Sequence, residues 1–381
     1  MSRFQLHERI SDIPAPAWDA LAGNGNPFLR HAFLAGLERT GCLRRDWGWT
    51  PLHAALWEGG RLVAAAPAYL KTNSHGEFVF DHAWAHAWQR QGLPYYPKWL
   101  CAVPYTPVTG PRLLAVDEAA RASLIEAMRG HAREAGLSGL HVNFLPETEA
   151  GVFGGDWLER EDVQFHWRRD PRWRDFQDFA DALDRRKRKN LLAERRKVTD
   201  AGIELRIVHG DEAGDADLAE AHALYCLTFT DKGNAPALTL EFFRHLAQAM
   251  PRALVLVLAR QHGETVAAAT CLRGPDRLYG RYWGSRVDVP GLHFETCYHQ
   301  GIAYCLDQGI DAFEPGAQGE HKLARGFLPV LTRSRHWVAE AGFVEPLRAW
   351  CAEERAHARR YAAALAQRHN PYRVPPALAA C

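Results

Sequence analysis

Two periodicities run along this chain, and the points where one gives way to the other lay out its elements. RFQLHERI alternates apolar and polar positions like a strand, and PAPAWDALAG follows as a short helix. NGNPFLRHAFLAGLERTG sets Phe28, Phe33, Leu34 and Leu37 at helical spacing, opened by Asn26-Pro27 and closed by Gly41. PLHAALWEGGRLVAAAPAYLKT reads as two strands joined by a Glu-Gly-Gly turn. EFVFDHAWAHAWQRQG repeats aromatics at 80, 84 and 88, a helical period for its second half. YYPKWLCAVPYTPVTGPRLL is Pro-rich and predicts a structured loop and a strand. A helix at 117–135, a strand at 139–144, a helix near 146–155 and the strand QFHWRR complete this half.

FQDFADALDRRKRKNLLAERRKV then passes from an acidic-apolar helix to a very basic one, stops at Gly202 and enters the strand IELRIV. Helices at 216–230 and 239–249 follow, then the strand ALVLVLAR. The turn Gln261-His262-Gly263-Glu264 joins it to TVAAATCLRG, with DRLYGRYWG as the next strand. The helix HFETCYHQGIAYCLDQG, the strand DAFEPG, a helix or loop at 319–326, the strand LTRSRHWVA and a helix at 346–368 close the chain. AALWEGGRLVAAAPAYL and VLARQHGETVAAATCL echo one another, which suggests two copies of one α/β unit. The length of 381 residues suits two domains, set at 1–170 and 171–381.

Composition narrows the function classes. Net charge is +1, so no global field recruits DNA or a membrane surface. The eight cysteines form no CxxC pair and most sit in apolar runs, the pattern of buried thiols in a reducing compartment. MSRFQLHERISDIP lacks an apolar signal core, and no window reaches the ~18 apolar residues of a membrane span. The expectation is a cytoplasmic protein.

Chemistry concentrates in residues 278–337, where Arg281, Tyr282, His293, Glu295, His299, Glu314, Gln318, Glu320, His321, Lys322, Arg325 and His336 lie among aromatics and glycines. A segment that only filled a core would carry more Leu, Ile and Val. The spacing H-x-E-x-x-x-H of His293, Glu295 and His299 differs from H-E-x-x-H, although Glu295 and His299 share a helix face, and no metal is expected there. Asp81, with His82 and His86, reads the same way. Helix 185–197 carries Arg185, Arg186, Lys187, Arg188, Lys189, Arg195, Arg196 and Lys197 against one acid, Glu194. In a nearly neutral chain this is either a solvated face or a patch for a phosphate-rich ligand.

Taken together, NPFLRHAFLAGLE, GEFVFDHAWAHAW, YYPKWLCAVPYTPVTGPRLL, QFHWRR, RRKRKNLLAERRKV, LYGRYWG, LHFETCYHQ, EPGAQGEHKLARGFLPV and TRSRHW resemble the FemAB-like branch of the GNAT superfamily from about residue 26 to 337. The resemblance implies an α+β fold of two tandem GNAT-like domains, with mixed sheets flanked by helices. It also implies acyl or aminoacyl transfer to the amine of a small molecule or peptide. No tightly bound cofactor is implied. The co-substrate is aminoacyl-tRNA, as in Fem relatives, or acyl-CoA, as in ordinary GNAT enzymes. Two positions depart from the pattern. This chain has KTNSHGEFVFDHAWAH where the family reads roughly KSHSYGEYVFDWAWAD, and His299 stands where Tyr is more usual.

Such a transfer needs a base, a polarised carbonyl and an anchored donor. Glu314, Glu320 and His321 are the candidate bases. Arg281, Tyr282 and Lys322 are placed to polarise the carbonyl or hold an acceptor carboxylate. His293, Glu295, Trp283, Asp81, Tyr95 and Tyr96 are further substrate-binding candidates, with Trp99 and Tyr105 on the same Pro-stiffened stretch as the two tyrosines. Arg186, Arg188, Lys189, Arg195 and Arg196 are the candidates for donor phosphates. The GNAT pyrophosphate turn has no clean copy; GAQGEHKLARG carries an acid where an anion cradle would not. Three readings stand: a tRNA-dependent aminoacyltransferase, a CoA-dependent acetyltransferase, and a non-catalytic binding protein on the same scaffold.

Overall fold

The computed structural model describes residues 2–317, 319–374 and 376. Gln318 and Cys381 lie outside them. The chain forms two compact α+β units: Met1–Asp162 with Leu331–Arg360, and Val163–Val330 with Tyr361–Cys381. Composition along the chain predicts one domain from residue 171 onward; in the structure Leu331–Arg360 returns to the first unit. The strands Leu158–Arg168 and Leu328–Val338 and the helix Ala341–Arg368 each run from one unit into the other. Composition changes along the chain cannot register such a return.

The first unit holds a four-stranded antiparallel sheet ordered Arg3–His7, His53–Glu58, Arg61–Ala66, Leu114–Ala115. Its central hairpin turns at Gly59-Gly60, both at positive φ, as the Glu-Gly-Gly pattern predicts. A second sheet pairs the end of Leu328–Val338 with Gly139–Asn143, then Lys98–Cys101, Ala68–Lys71 and Trp49–Pro51. The helix expected over Asn26–Gly41 is broken. A 3-10 turn at Pro27–Leu29 ends at Arg30, whose extended ψ of 138° starts the helix His31–Arg39 afresh. The aromatic period of four is helical over His82–Arg90, which buries Trp84 and Trp88, whereas Phe80 precedes the helix and is 54% exposed.

In the second unit the strands run Glu204–His209, Leu254–Gln261, Glu264–Arg273, Arg277–Ser285 and Ala312–Glu314, with Arg168 and Trp167 paired onto the last. Only the step from Arg277–Ser285 to Ala312–Glu314 is parallel, so it needs the crossover that the helical segment 292–307 supplies. That segment opens as α-helix at Leu292–Phe294, widens to a π turn at Glu295–His299 and closes as α-helix over Gln300–Asp307. Ile302, Cys305, Phe313, Trp167 and Phe327 meet beneath it as the unit's core. Among the described residues, no helix is long and apolar enough to cross a membrane.

One close approach fixes the outer end of the Arg277–Ser285 strand. Helix Asp215–Thr230 packs so tightly on Gly284 that a Cβ there would fall 1.9 Å from the Leu224 carbonyl oxygen, and Thr228 Oγ1 donates to the Trp283 carbonyl at 2.7 Å. Gly284→Ala must push helix from strand. It is expected to lower unfolding free energy by roughly 3 kcal/mol, read by urea denaturation; an unchanged midpoint would contradict this packing.

Candidate functional site

Strands Glu264–Arg273 and Arg277–Ser285 keep antiparallel register from Ala267↔Ser285 to Thr270↔Tyr282, then resume at Cys271↔Gly280. Arg281 is the extra residue of this bulge. A bulge twists the strand and re-aims its side chains. Here it opens a pocket of about 130 Å³, floored by Ala269, Thr270, Cys271 and Gly280 and walled by Arg281, Tyr282, Trp283, His293, Cys297, Tyr298 and Pro315. Four sequence-predicted residues therefore meet at one place: Arg281, Tyr282, Trp283 and His293. Thr270, Cys297 and Tyr298 were missed. Thr270 lies in a run that reads as plain core, whereas Tyr298 sits beside the singled-out His299 and could have been chosen with it.

The helical segment supplies the aromatic wall. His293 contacts the rings of Trp283 and Tyr298, and Tyr298 OH hydrogen-bonds His321 Nε2 at 2.9 Å. Burial, helped by the nearby cations, pushes His293 down to about 4, so it is neutral at pH 7. His321 is lowered in the same way, by burial and by Lys322 and Arg325. Burial raises Tyr298 and Cys297 and pushes Cys271 up to about 12, which leaves a phenol and two thiols rather than anionic nucleophiles.

Lys322 is 2% exposed. Nζ donates to the Gly316 carbonyl at 2.7 Å, and among the described residues no carboxylate lies in ion-pair range of it. Burial pushes it down to about 7; of the charges acting on it, Cys297 raises and Arg281 lowers, and both line the pocket. A buried lysine with that affinity for a proton exists in both forms at neutral pH.

The candidate acids lie elsewhere. Glu314 is buried at its strand end and pairs with Arg277 Nη1 at 2.7 Å, not with Arg281 or Arg325; its other oxygen is 3.9 Å from His166, which burial lowers to about 4. Glu320 is exposed and accepts from Tyr361 OH. Glu295 accepts from His299 Nδ1 at 2.9 Å and Gln300 Nε2 at 2.7 Å; burial opposes its charge, but His299 and Arg195 hold it lowered. His299 is fully buried in that contact. Among the described residues no three of His, Cys, Asp and Glu converge as a metal site.

The basic helix Arg185–Asp200 presents two kinds of cation. Arg188 pairs with Asp181 at 2.8 Å, and Arg195 pairs with Glu295 at 3.3 Å while lying 4.2 Å over the Phe176 ring. Arg186, Lys189 and Arg196 are exposed, and among the described residues no acid is paired with them. Their spacing puts the three on one face along roughly 15 Å of helix.

Asp81, Tyr95 and Tyr96 gather in the first unit. Lys98, with 0% exposure, pairs with Glu77 at 2.8 Å and with Asp81, and donates to Ser74 at 3.1 Å. Tyr95 OH donates to Asp81 at 2.6 Å, and Tyr96 OH meets Ser74 Oγ at 2.8 Å. Burial opposes ionisation of Asp81, but Lys98, His141 and the hydrogen bonds hold it well below the carboxylate range; burial wins at Glu77, which rises to about 7. Beside them Lys71 lies 3.8 Å over the Trp49 ring and is pushed by burial to about 7. The GEFVFDHAW and YYPKW stretches thus converge on a closed polar core.

The FemAB-like family profile, described as peptidoglycan biosynthesis/recognition, matches residues 9–374. Comparison with curated proteins by sequence gives no match. The chain is similar to the crystal structure of FemX at 12% identity, covering 91% of this chain and 99% of that one, with a TM-score of 0.50. It is similar to the C-terminal domain of a putative lysylphosphatidylglycerol synthetase from Agrobacterium fabrum at 10% identity, covering 89% and 95%, with a TM-score of 0.50. L-PGS from Bacillus licheniformis matches at 9% identity over 84% and 95%, again with a TM-score of 0.50. At these identities the likeness is one of fold.

The first unit's core makes its own prediction. Lys98→Met strands Asp81 and Glu77 in a dry interior and should cost roughly 3–5 kcal/mol of stability in chemical denaturation. A loss below about 1 kcal/mol would show that the cluster is hydrated and open rather than closed.

Proposed function

This chain belongs to the FemAB-like family and is an acyltransferase on a GNAT-like fold; we propose that it transfers an aminoacyl group from aminoacyl-tRNA to the amine of a small molecule or peptide, with the chemistry at the bulge pocket of the second unit. The observation that carries this reading is Lys322: buried, with no carboxylate partner among the described residues, lowered to about 7 by burial, and under the influence of Cys297 and Arg281 in the pocket wall. Neutral Lys322 takes the proton that the attacking ammonium must lose. A base whose affinity matches the working pH does this best. Arg281, re-aimed by the bulge, polarises the ester carbonyl, and the Tyr298 phenol returns a proton to the leaving oxygen. Histidine 293, neutral at pH 7, accepts a hydrogen bond from the amine rather than repelling it.

Arg186, Lys189 and Arg196 favour the tRNA donor. A line of unpaired cations about 15 Å long suits phosphates repeated along a strand better than one compact pyrophosphate. The family's peptidoglycan link makes a cell-wall precursor amine the first acceptor class to try.

Parallel incubation with charged tRNAs and CoA esters, read by the mass of the acylated acceptor, tests the reading. Product from CoA esters alone would move the donor to acyl-CoA. Transfer should rise with pH through about 7 and then level as Lys322 loses its proton, and Lys322→Met should lower it at least 100-fold. The same substitution should leave thermal stability equal or higher. A lysine with a lowered folded pKa penalises the fold fully below that pKa, so stability should rise from pH 7 towards the unfolded value of ~10.4 in the parent and lose that slope in the variant.

Reversing Arg186, Lys189 and Arg196 to Glu should weaken tRNA binding at least tenfold at low salt. The slope of log affinity against log salt should fall by roughly 2–3. An unchanged slope would remove the helix from the donor site.

A further inference from the structure

The basic helix has an inner face that the transfer reading leaves unused. Successive helical residues point about 100° apart, so Glu194 and Arg195 face away from the stripe of Arg186, Lys189 and Arg196 and reach two different neighbours. Glu194 accepts both ends of the Arg325 guanidinium, at 2.5 Å from Nη2 and 3.1 Å from Nε. Arg325 closes the turn Glu320–Arg325 that carries Lys322, donates through Nη1 to the His321 carbonyl at 2.7 Å, and lies 3.3 Å over the Phe294 ring. Arg195 pairs with Glu295, the first residue of the π turn whose Cys297 and Tyr298 wall the pocket. The backbone is fitted just as closely. At Gly291, with φ of 93°, a Cβ would meet the Glu194 carbonyl oxygen at 3.0 Å.

We propose that Glu194 and Arg195 are positioning residues: one clasps the lysine-bearing turn and the other the π turn, so that the helix proposed to bind the donor also sets the geometry of the pocket. This deepens the transfer reading and rests on it. The two clasps meet at His299. Glu194 binds Arg325 and so fixes where Lys322 sits, with a longer approach of 3.7 Å to His299 Nε2; Arg195 binds Glu295, which holds the other side of His299, and so fixes the aromatic wall. Arg325 is nine-tenths buried, so removing its carboxylate leaves an uncompensated cation under the turn, and the turn must open to hydrate it. Binding a polyanion outside and closing the pocket inside then share one rigid element, and the coupling runs both ways.

A ¹³C-lysine NMR titration of the full chain, with the Lys322 signal assigned by its loss in Lys322→Met, tests the clasp without an acceptor. The parent Lys322 should titrate near 7. In Glu194→Gln it should rise by at least one unit as water reaches the turn, and in the exchanged pair Glu194→Arg with Arg325→Glu it should return towards the parent value. Losing the negative charge of Glu194 would by itself lower Lys322, so a rise reports water reaching the turn rather than the lost charge. A folded Glu194→Gln in which Lys322 still titrates as in the parent overturns the clasp and leaves the transfer reading standing. A parent Lys322 near 10 overturns the transfer reading itself. Should Glu194→Gln fail to fold, Glu194→Asp keeps the charge but is one methylene too short to reach both guanidinium nitrogens, and the same rise is expected; no rise there overturns the clasp.

Discussion

The second unit depends on two strands that cannot stay in step. Between Thr270 and Cys271 the pairing gains one residue, Arg281, and the sheet must splay to hold it. The crossover helical segment answers with a π turn at the same level, so a bulge in the sheet faces a bulge in the helix. Each is locally costly, and each is held from outside. Helix Asp215–Thr230 presses on Gly284 beyond the bulge, and Phe313 packs on Gly301 with no room for a Cβ between them. The pocket is what remains when both elements are pinned on either side of their irregular turn.

Cations are buried in two different ways. Lys98 in the first unit is held between two acids, with the Ser74 hydroxyl as its third acceptor. Such a core can be stable and inert because most of its polar atoms are already paired, Glu77 Oε1 being the exception. Lys322 in the second unit is as deeply buried, and among the described residues it donates to a carbonyl and to no carboxylate. A cation so placed holds its proton weakly, which is the property that acid–base chemistry requires. Lys71 in the first unit resembles Lys322 in this respect, with the His75 carbonyl as its acceptor and a proton affinity lowered to about 7, so the number of carboxylates within reach, and not the unit, sets how firmly a buried lysine holds its proton.

Much of the fold was legible because local rules decide it. Both hairpins follow from their turns, at Gly59-Gly60 and His262-Gly263, and the basic helix opens where Asp184 caps it. The misread parts are set at a distance. Arg30 breaks a helix whose apolar spacing is unblemished, because Phe28 and Leu29 are buried in one turn and Phe33 and Leu37 in the next. The return of Leu331–Arg360 to the first unit leaves no local mark. At the site, residue types were readable and positions were not. Arg281, Tyr282, Trp283 and His293 stood out as polar or aromatic groups among glycines. A one-residue bulge, however, changes no residue's polarity, so Thr270 and Cys271 looked like core. Glu314 looked like a base at a strand end, and only the fold reveals Arg277 beside it.

The two departures from the family pattern gain different meanings from their surroundings. In the first stretch, His82 and His86 are exposed on a helix whose opposite side buries Trp84 and Trp88, so those two changes alter a surface, whereas His75 lies against the polar core and accepts from Lys71 through its carbonyl. His299 is fully buried and bonded to Glu295, which in turn meets Arg195. A tyrosine at that position would bring a longer side chain and a hydroxyl to the same carboxylate, and the π turn would have to move to receive it. A histidine shortens the reach and lets Glu295 answer both the crossover segment and the basic helix. The substitution therefore belongs to the way the pocket wall is fastened, one step behind the residues that line it.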